Sequence, residues 1–163
     1  MKGAIISAYP CVGKSTFANA TNGYIDLESG NFWVGVERDE YWHKVYCNLA
    51  IHFAKQGYRV FVASHEIVRS YLASLPADPE LLMVACFPAK ELEAEWINKL
   101  FKRYLSNMSA KDRAAWERAC RKFGDDIDSL ANQERFEKIV INDMRYDLGS
   151  MLDELFERQE EAK

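Results

Sequence analysis

The first segment of the chain, residues 2–19, constrains the fold more than any other. An apolar run over residues 2–8 enters a turn that contains Gly13, and helix-favouring residues follow from Ser15. A short apolar run that leads into a glycine-containing turn is typical of a buried strand. The segment therefore predicts a strand, a tight turn and a helix in direct succession.

Four later segments also have the length and composition of strands, and helical patterns separate them. The strand segments are 23–29, 58–64, 81–87 and 137–143. The helical segments are 41–56, 64–75 with Ser64 as its N-cap, 92–104, 109–137 with an interruption near Gly124, and 148–156. Five short apolar strands that alternate with helices indicate an α/β fold with a parallel sheet covered on both faces.

Composition narrows the class of protein. The chain has 163 residues, enough for one domain with a real core, and no apolar run approaches the roughly 20 residues that span a bilayer. Its four cysteines have no metal-binding or disulfide spacing, which predicts reduced thiols and a cytoplasmic location without membrane partners. The net charge of −4 weakens a duplex nucleic-acid role without excluding a small basic site.

The turn after the first strand matches the phosphate-binding loop motif G-x-x-x-x-G-K-[ST] at every fixed position except the first glycine. In that frame Ala8 replaces the first glycine, and Gly13, Lys14 and Ser15 occupy the remaining fixed positions. Backbone N–H groups would cradle phosphates, Lys14 would reach the β- and γ-phosphates, and the Ser15 hydroxyl would bind Mg²⁺. The residues predicted to bind ATP in this loop are Pro10, Cys11, Val12, Gly13, Lys14, Ser15 and Thr16.

Two residues depart from the usual loop. Ala8 adds only a methyl group at the strand exit, which most turns tolerate unless φ must be positive. Cys11 in the bend needs an allowed backbone conformation, and a thiol beside Lys14 and a helix N-terminus could be activated.

The sequence AYPCVGKST followed by YIDLES resembles the small P-loop kinases of nucleosides and nucleotides, including phage-type deoxynucleotide kinases. The polynucleotide-kinase-like branch has a related layout. The resemblance covers most of the chain by element order; it is specific at the loop and moderate at IDLES and EWINKLFKR. It implies a three-layer P-loop NTPase fold with a five-stranded parallel sheet, helices on both faces and a small helical lid. We expect one domain over residues 1–163, with the lid and acceptor-covering helices within residues 90–137.

The resemblance also implies an acidic residue near the end of the second strand that acts as a base or helps to hold Mg²⁺. Asp26 matches that position best, and Glu28 is the competitor, since residues 26 and 28 of a strand point to the same side. Asp26 as a true base favours a hydroxyl acceptor, whereas Asp26 as a metal partner suits either a hydroxyl or a phosphate acceptor. Solvated ends of strands carry the same residues without any function.

An arginine-bearing lid is implied as well, and EWINKLFKRY matches it best. Lys99, Lys102 and Arg103 fall on one helical face, where cations can stabilise the charge on a transferring phosphoryl group. We take Arg103 as the catalytic candidate. Lys111 and Arg113 of the next helical segment are alternatives, and an ordinary basic helix face would have the same pattern.

The acceptor site is expected between the second strand and the helix that follows it. Phe32 and Trp33 could stack on a nucleobase, whereas Trp42 suits core packing equally well. Arg69 could hold an acceptor phosphate, although the match is loose. Asp143, after the fifth strand, lies at the position where the kinases that the chain resembles often contact the adenine of ATP.

The function expected from these residues and from the resemblance is ATP- and Mg²⁺-dependent transfer of the γ-phosphate to a nucleotide or nucleoside, as in deoxynucleoside monophosphate kinases. Two alternatives share the donor site: a polynucleotide or modified-base DNA kinase, and a non-kinase P-loop ATPase module. The sequence leaves the identity of the acceptor open, and it leaves the oligomeric state open with a homodimer as one option.

Overall fold

The computed structural model describes residues 3–34, 37–38 and 40–162, without the side chains of 32–34 and 37–38. The strands are β1 Gly3–Ala8, β2 Tyr24–Asp26, β3 Trp33–Val34, β4 Glu37–Arg38, β5 Arg59–Ala63, β6 Leu81–Pro88 and β7 Glu137–Ile141. The helices are α1 Lys14–Ala20, α2 Trp42–Lys55, α3 Glu66–Ser74, α4 Glu93–Asn107, α5 Ala110–Ala131 and α6 Leu148–Glu161. Short 3₁₀ turns occupy Ser29–Phe32 and Lys90–Leu92.

Five strands form one parallel sheet in the order β2-β5-β1-β6-β7, which confirms the predicted five-stranded parallel sheet. β1 lies at its centre, pairs with β5 and β6, and is buried along its whole length. A strand with a parallel partner on each side and helices over both faces reads as a continuous apolar run, as β1 does. The small antiparallel ladder of β3 and β4 was not predicted.

The connections place helices on both faces of the sheet. The chain moves in one direction from β1 to β2 and in the other direction through β5, β6 and β7. Right-handed crossovers therefore put α1 on one face and α2, α3 and the α4–α5 pair on the other. The described contacts agree: Phe17 of α1 lies close to Gly149 of α6, and Arg69 of α3 bonds to Ser129 of α5. The architecture is compatible with a three-layer α/β fold.

Three sequence predictions need local correction. Helix α5 runs through Gly124 without interruption. A single glycine costs a helix only about 1 kcal/mol, which the buried face of α5 offsets. His65 rather than Ser64 occupies the N-cap position of α3, and β2 ends at Asp26, earlier than expected. Within the described part of the chain, no helix combines the length and the apolar character needed to cross a membrane.

The close approach of β1 to α2 gives a test of this architecture. A Cβ at Gly3 would lie 1.7 Å from the carbonyl oxygen of Ala54. We expect Gly3→Ala to lower the free energy of unfolding by about 3 kcal/mol or more, because helix backbone must shift to admit it. Urea unfolding measures the change.

Gly124→Ala is the matched control, since a Cβ there meets nothing within 4 Å. In a helix interior this change should raise the free energy of unfolding by roughly 0.5–1 kcal/mol. Equal effects of the two substitutions would contradict the packing of β1 on α2.

Candidate functional site

The candidate site lies where the direction of the strand connections reverses. The turn of residues 9–13 leaves the carboxyl end of β1, between the ends of β5 and β6. In open parallel sheets, ligands bind in the crevice at this switch point. β2 ends at the same edge, and the N–H of Leu27 bonds to the carbonyl of Phe61 at 3.0 Å. The fold thus brings the loop and the acidic end of β2 to one crevice.

The loop has the backbone form of an anion-binding nest. Gly13 has φ +96° and Cys11 has φ +71°, both left-handed, and Lys14 begins the right-handed helix α1. Residues of opposite hand in succession turn neighbouring N–H groups toward a common point. The first N–H groups of a helix also have no intrahelical acceptor. The turn therefore presents donors from Gly13 and the start of α1 on one side.

Three polar side chains meet beside this nest. The Ser15 hydroxyl donates to Asp26 Oδ2, and Lys14 Nζ lies 3.7 Å from Asp26 Oδ1. Burial lowers the pKa of Lys14, and the charges of Asp26 and Glu28 oppose that shift. Asp26 Oδ1 has no hydrogen-bond partner among the described residues although only 10% of the side chain is exposed. A buried carboxylate oxygen that has an ion pair but no hydrogen bond can still accept one from a ligand or bind an ion.

Asp26 Oδ1 also bears on whether Mg²⁺ can bind at this site. Mg²⁺ prefers oxygen ligands and takes one or two protein carboxylates, with substrate phosphates and water completing its shell. Ser15 Oγ and Asp26 Oδ1 are such ligands, so the residues fit the ion. The described residues contain no group of three or more His, Cys, Asp or Glu side chains that could hold a metal without a substrate.

Glu28 connects the crevice to helix α5. Its carboxylate accepts a hydrogen bond from Lys111 Nζ of α5 at 2.6 Å. Burial pushes the pKa of Glu28 upward, but this bond and the charges of Lys111, Lys14 and Arg103 hold it below the usual value. Glu28 thus remains ionised and ties the start of α5 to the end of β2.

Helix α4 supplies two further cations near the loop. Arg103 Nε forms an ion pair with Asp112 Oδ1 at 2.9 Å, and Asn107 donates to the other oxygen of that carboxylate. Burial raises the pKa of the Cys11 thiol, and the charges of Arg103 and Lys99 oppose the shift only in part. Burial thus outweighs the two cations and favours the neutral thiol, whereas the sequence had left activation of Cys11 open.

Two candidates for the lid do not reach the loop by any contact of the described residues. Lys102 is exposed on α4, and Arg113 pairs with Glu117 on the surface of α5 at 2.9 Å. The structure thus brings Lys99, Arg103 and Lys111 toward the crevice and leaves Lys102 and Arg113 on outer faces.

Arg69 requires a correction. It is 2% exposed, and its guanidinium donates to Ser64, Gln133 and both oxygens of Ser129 at 2.8–3.2 Å. These bonds use four of the five donors of an arginine. Arg69 therefore links α3 to the end of α5 and does not offer its charge to an acceptor phosphate.

The acceptor wall is described only in part. The side chains of Phe32 and Trp33 lie outside the described residues. Trp42 is half-buried, with its ring 6.1 Å from that of His65 and 5.7 Å from that of Tyr46. Asp143 is exposed after β7 and accepts a bond from the N–H of Arg145 at 2.8 Å, so its role toward adenine stays a prediction.

Sequence reasoning missed three aromatic residues that shape the site. Trp96 Nε1 donates to Pro10 O at 2.9 Å, and Tyr146 Oη donates to Val12 O at 2.8 Å. Tyr46 Oη donates to Leu27 O at 2.6 Å and accepts from the N–H of Ala63. Trp96 fitted the apolar stripe of a predicted helix, which indicated only a core residue. No motif in the sequence around Tyr146 indicated a role in the site.

Comparison with known proteins adds no family to this geometry. No family model matches the chain, and a search of curated proteins finds no match. The functional conclusion therefore depends on the residues of the site.

The left-handed bend at Cys11 generates a prediction. Cys11→Ala and Cys11→Gly both remove the thiol, but only glycine adopts φ +71° without strain. We expect Cys11→Gly to be more stable than Cys11→Ala by about 1 kcal/mol, since a left-handed conformation costs other residues about 1–2 kcal/mol. Thermal or urea unfolding of the two variants measures the difference. An alanine variant as stable as the glycine variant would contradict the bend.

A second prediction concerns Glu28. Because its folded pKa lies below the unperturbed value of 4.5, its contribution to stability is present above pH 4.5. That contribution is lost as pH falls through the depressed pKa. Lys111→Ala should raise the pKa of Glu28, measured by ¹³C NMR titration of the carboxyl group.

Lys122→Ala on the same helix is the control, because Lys122 pairs with Asp125 on the surface at 3.5 Å. It should leave the Glu28 titration unchanged. If the pKa of Glu28 is the same in Lys111→Ala as in the wild type, the ion pair between Glu28 and Lys111 does not form in solution.

Proposed function

We propose that the chain is an ATP-dependent phosphotransferase with a P-loop NTPase fold that transfers the γ-phosphate to a nucleotide or nucleoside. The observation that carries the proposal is the meeting of Lys14, Ser15 and Asp26 at the nest, with Asp26 Oδ1 buried and without a hydrogen-bond partner among the described residues. A lysine, a hydroxyl and an unsatisfied carboxylate around backbone donors suit a triphosphate with its cation.

In this proposal the loop N–H groups and Lys14 bind the β- and γ-phosphates. Ser15 and Asp26 would hold Mg²⁺, which supplies charge neutralisation between the phosphates when it is bound. Arg103, held by Asp112, and Lys99 are the cations of α4 that stabilise charge on the transferring group. The ATP-binding role of Asp143 belongs to the same proposal.

The acceptor occupies the side of the crevice that Asp26 and Glu28 face. Asp26 can accept the proton of an attacking hydroxyl, while Glu28, held by Lys111, and the segment with Phe32 and Trp33 bind the acceptor. The predicted ligand for an acceptor phosphate, Arg69, is engaged by Ser64, Ser129 and Gln133. This engagement argues against Arg69 as the ligand of an acceptor phosphate, and both a nucleoside and a nucleotide stay within the proposal.

The proposal predicts transfer from ATP with Mg²⁺ to a deoxynucleoside or its monophosphate in a coupled assay.

Lys14→Ala should reduce transfer to background with the fold intact, since the phosphates lose their cation. Asp26→Asn should lower turnover by about 10²–10⁴-fold, the usual contribution of a general base, with a much smaller loss of ATP affinity. Glu28→Gln tests the competing acid.

Lys122→Ala, a surface lysine of α5, is the control and should keep wild-type activity. Transfer only to an oligonucleotide would instead identify a polynucleotide kinase. ATP turnover that no acceptor stimulates would identify an ATPase module. Full activity of Lys14→Ala would overturn the site itself.

A further inference from the structure

The hydroxyl of Tyr146 joins three separate parts of the chain. Tyr146 lies between β7 and α6, and its Oη donates to Val12 O at 2.8 Å, with Cys11 O at 3.3 Å. A phenol has one hydrogen, so the shorter contact is its principal bond and Cys11 O shares it. The same oxygen accepts a hydrogen bond from Lys99 Nζ of α4 at 2.9 Å.

Trp96 completes this contact from the lid side. It is fully buried, its ring stacks on that of Tyr146 with centroids 6.0 Å apart, and its Nε1 donates to Pro10 O at 2.9 Å. Two aromatic side chains distant in sequence thus hold the carbonyls of three consecutive loop residues.

Peptide geometry gives this arrangement a consequence for ligand binding. In a trans peptide the carbonyl of one residue and the N–H of the next point in opposite directions, and the described chain has no cis bonds. Fixing Pro10 O therefore directs the N–H of Cys11 to the other side of the loop. Fixing Val12 O does the same for the N–H of Gly13.

This loop needs such support more than a glycine-rich phosphate-binding loop does. Cys11 has φ +71°, a conformation that persists in a non-glycine residue only where the surroundings enforce it. Ala8 replaces the glycine of the usual spelling at the strand exit. The bonds from Trp96 and Tyr146 flank this strained bend.

We propose that Tyr146 is a positioning residue that holds the loop in its anion-binding form and connects it to Lys99 of α4. Lys99 Nζ lies over both rings, 4.6 Å from the Trp96 centroid and 4.9 Å from that of Tyr146. The loop and the cation of the lid are therefore fixed by one group, so that the phosphate donors and the Lys99 charge keep a constant relation. The role in nucleotide binding rests on the proposed function.

The test is Tyr146→Phe, which keeps the ring on Trp96 and removes the hydroxyl. Tyr104→Phe is the matched control, because Tyr104 lies on α4 and its ring likewise stacks on a tryptophan, Trp116, at 6.0 Å. Calorimetry with ADP and ATP, each with Mg²⁺, should give dissociation constants about tenfold higher for Tyr146→Phe, the scale of one good hydrogen bond, and unchanged for Tyr104→Phe. A role in packing alone would leave these constants unchanged.

A second readout needs no nucleotide. The ¹⁵N order parameters of Cys11 and Gly13 should be near the rigid value of about 0.85 in the wild type and should fall toward the flexible range, below about 0.6, in Tyr146→Phe. Flexible values in the wild type itself would overturn the positioning role without any variant, so the proposal stays testable if the variant fails to fold.

The two proposals fail in different ways. Wild-type binding of both nucleotides, with unchanged constants and order parameters in Tyr146→Phe, overturns the role of Tyr146 and leaves the kinase proposal standing. Wild-type protein that binds neither nucleotide overturns the proposed function. In that case a drop in the order parameters would still support the role of Tyr146 in holding the loop, and unchanged values would overturn it.

Discussion

The structure depends on the burial of β1 between two parallel partners. Its backbone bonds are satisfied by β5 and β6, and Gly3 allows α2 to approach its start without a clash. A strand enclosed in this way can end only at the sheet edge, so the turn after Ala8 must enter the crevice between its neighbours. The position of the candidate site is therefore a consequence of core packing, and the chemistry of the loop is built on that fixed exit.

In the described part of the chain, three ion pairs lie along that edge, between the loop and helices α4 and α5. Asp26 lies beside Lys14, Glu28 bonds to Lys111, and Arg103 is held by Asp112. Burying the Lys14–Asp26 pair costs free energy, and a hydrophobic replacement would often stabilise a fold equally well. Perturbed titrations and an unsatisfied carboxylate oxygen in one crevice are instead typical of a functional site. The pairs also connect the end of β2 to α5, and α5 to α4.

Aromatic and basic residues have roles here that their types alone do not reveal. Trp96, Tyr146 and Tyr46 use their polar atoms on backbone groups of the loop and of the strand ends, as buried tryptophan and tyrosine usually do. Arg69 satisfies the backbone of Ser64 and Ser129. Residue types that often recognise ligands thus serve here to fix the segments around the candidate site.

The sequence by itself determined the order of the six described helices and of the five strands of the parallel sheet, because the length and apolar character of each segment reflect local burial. It also determined that Gly13, Lys14 and Ser15 stand together, because they are adjacent in the chain. It did not determine that α5 passes through Gly124, that Arg69 is buried, or that Tyr146 reaches Val12. The last two facts depend on contacts between residues 60 to 134 positions apart, whose partners are set by the packing of helices on the sheet. Local sequence patterns do not specify which distant residues come into contact, so only the tertiary structure decided these partners.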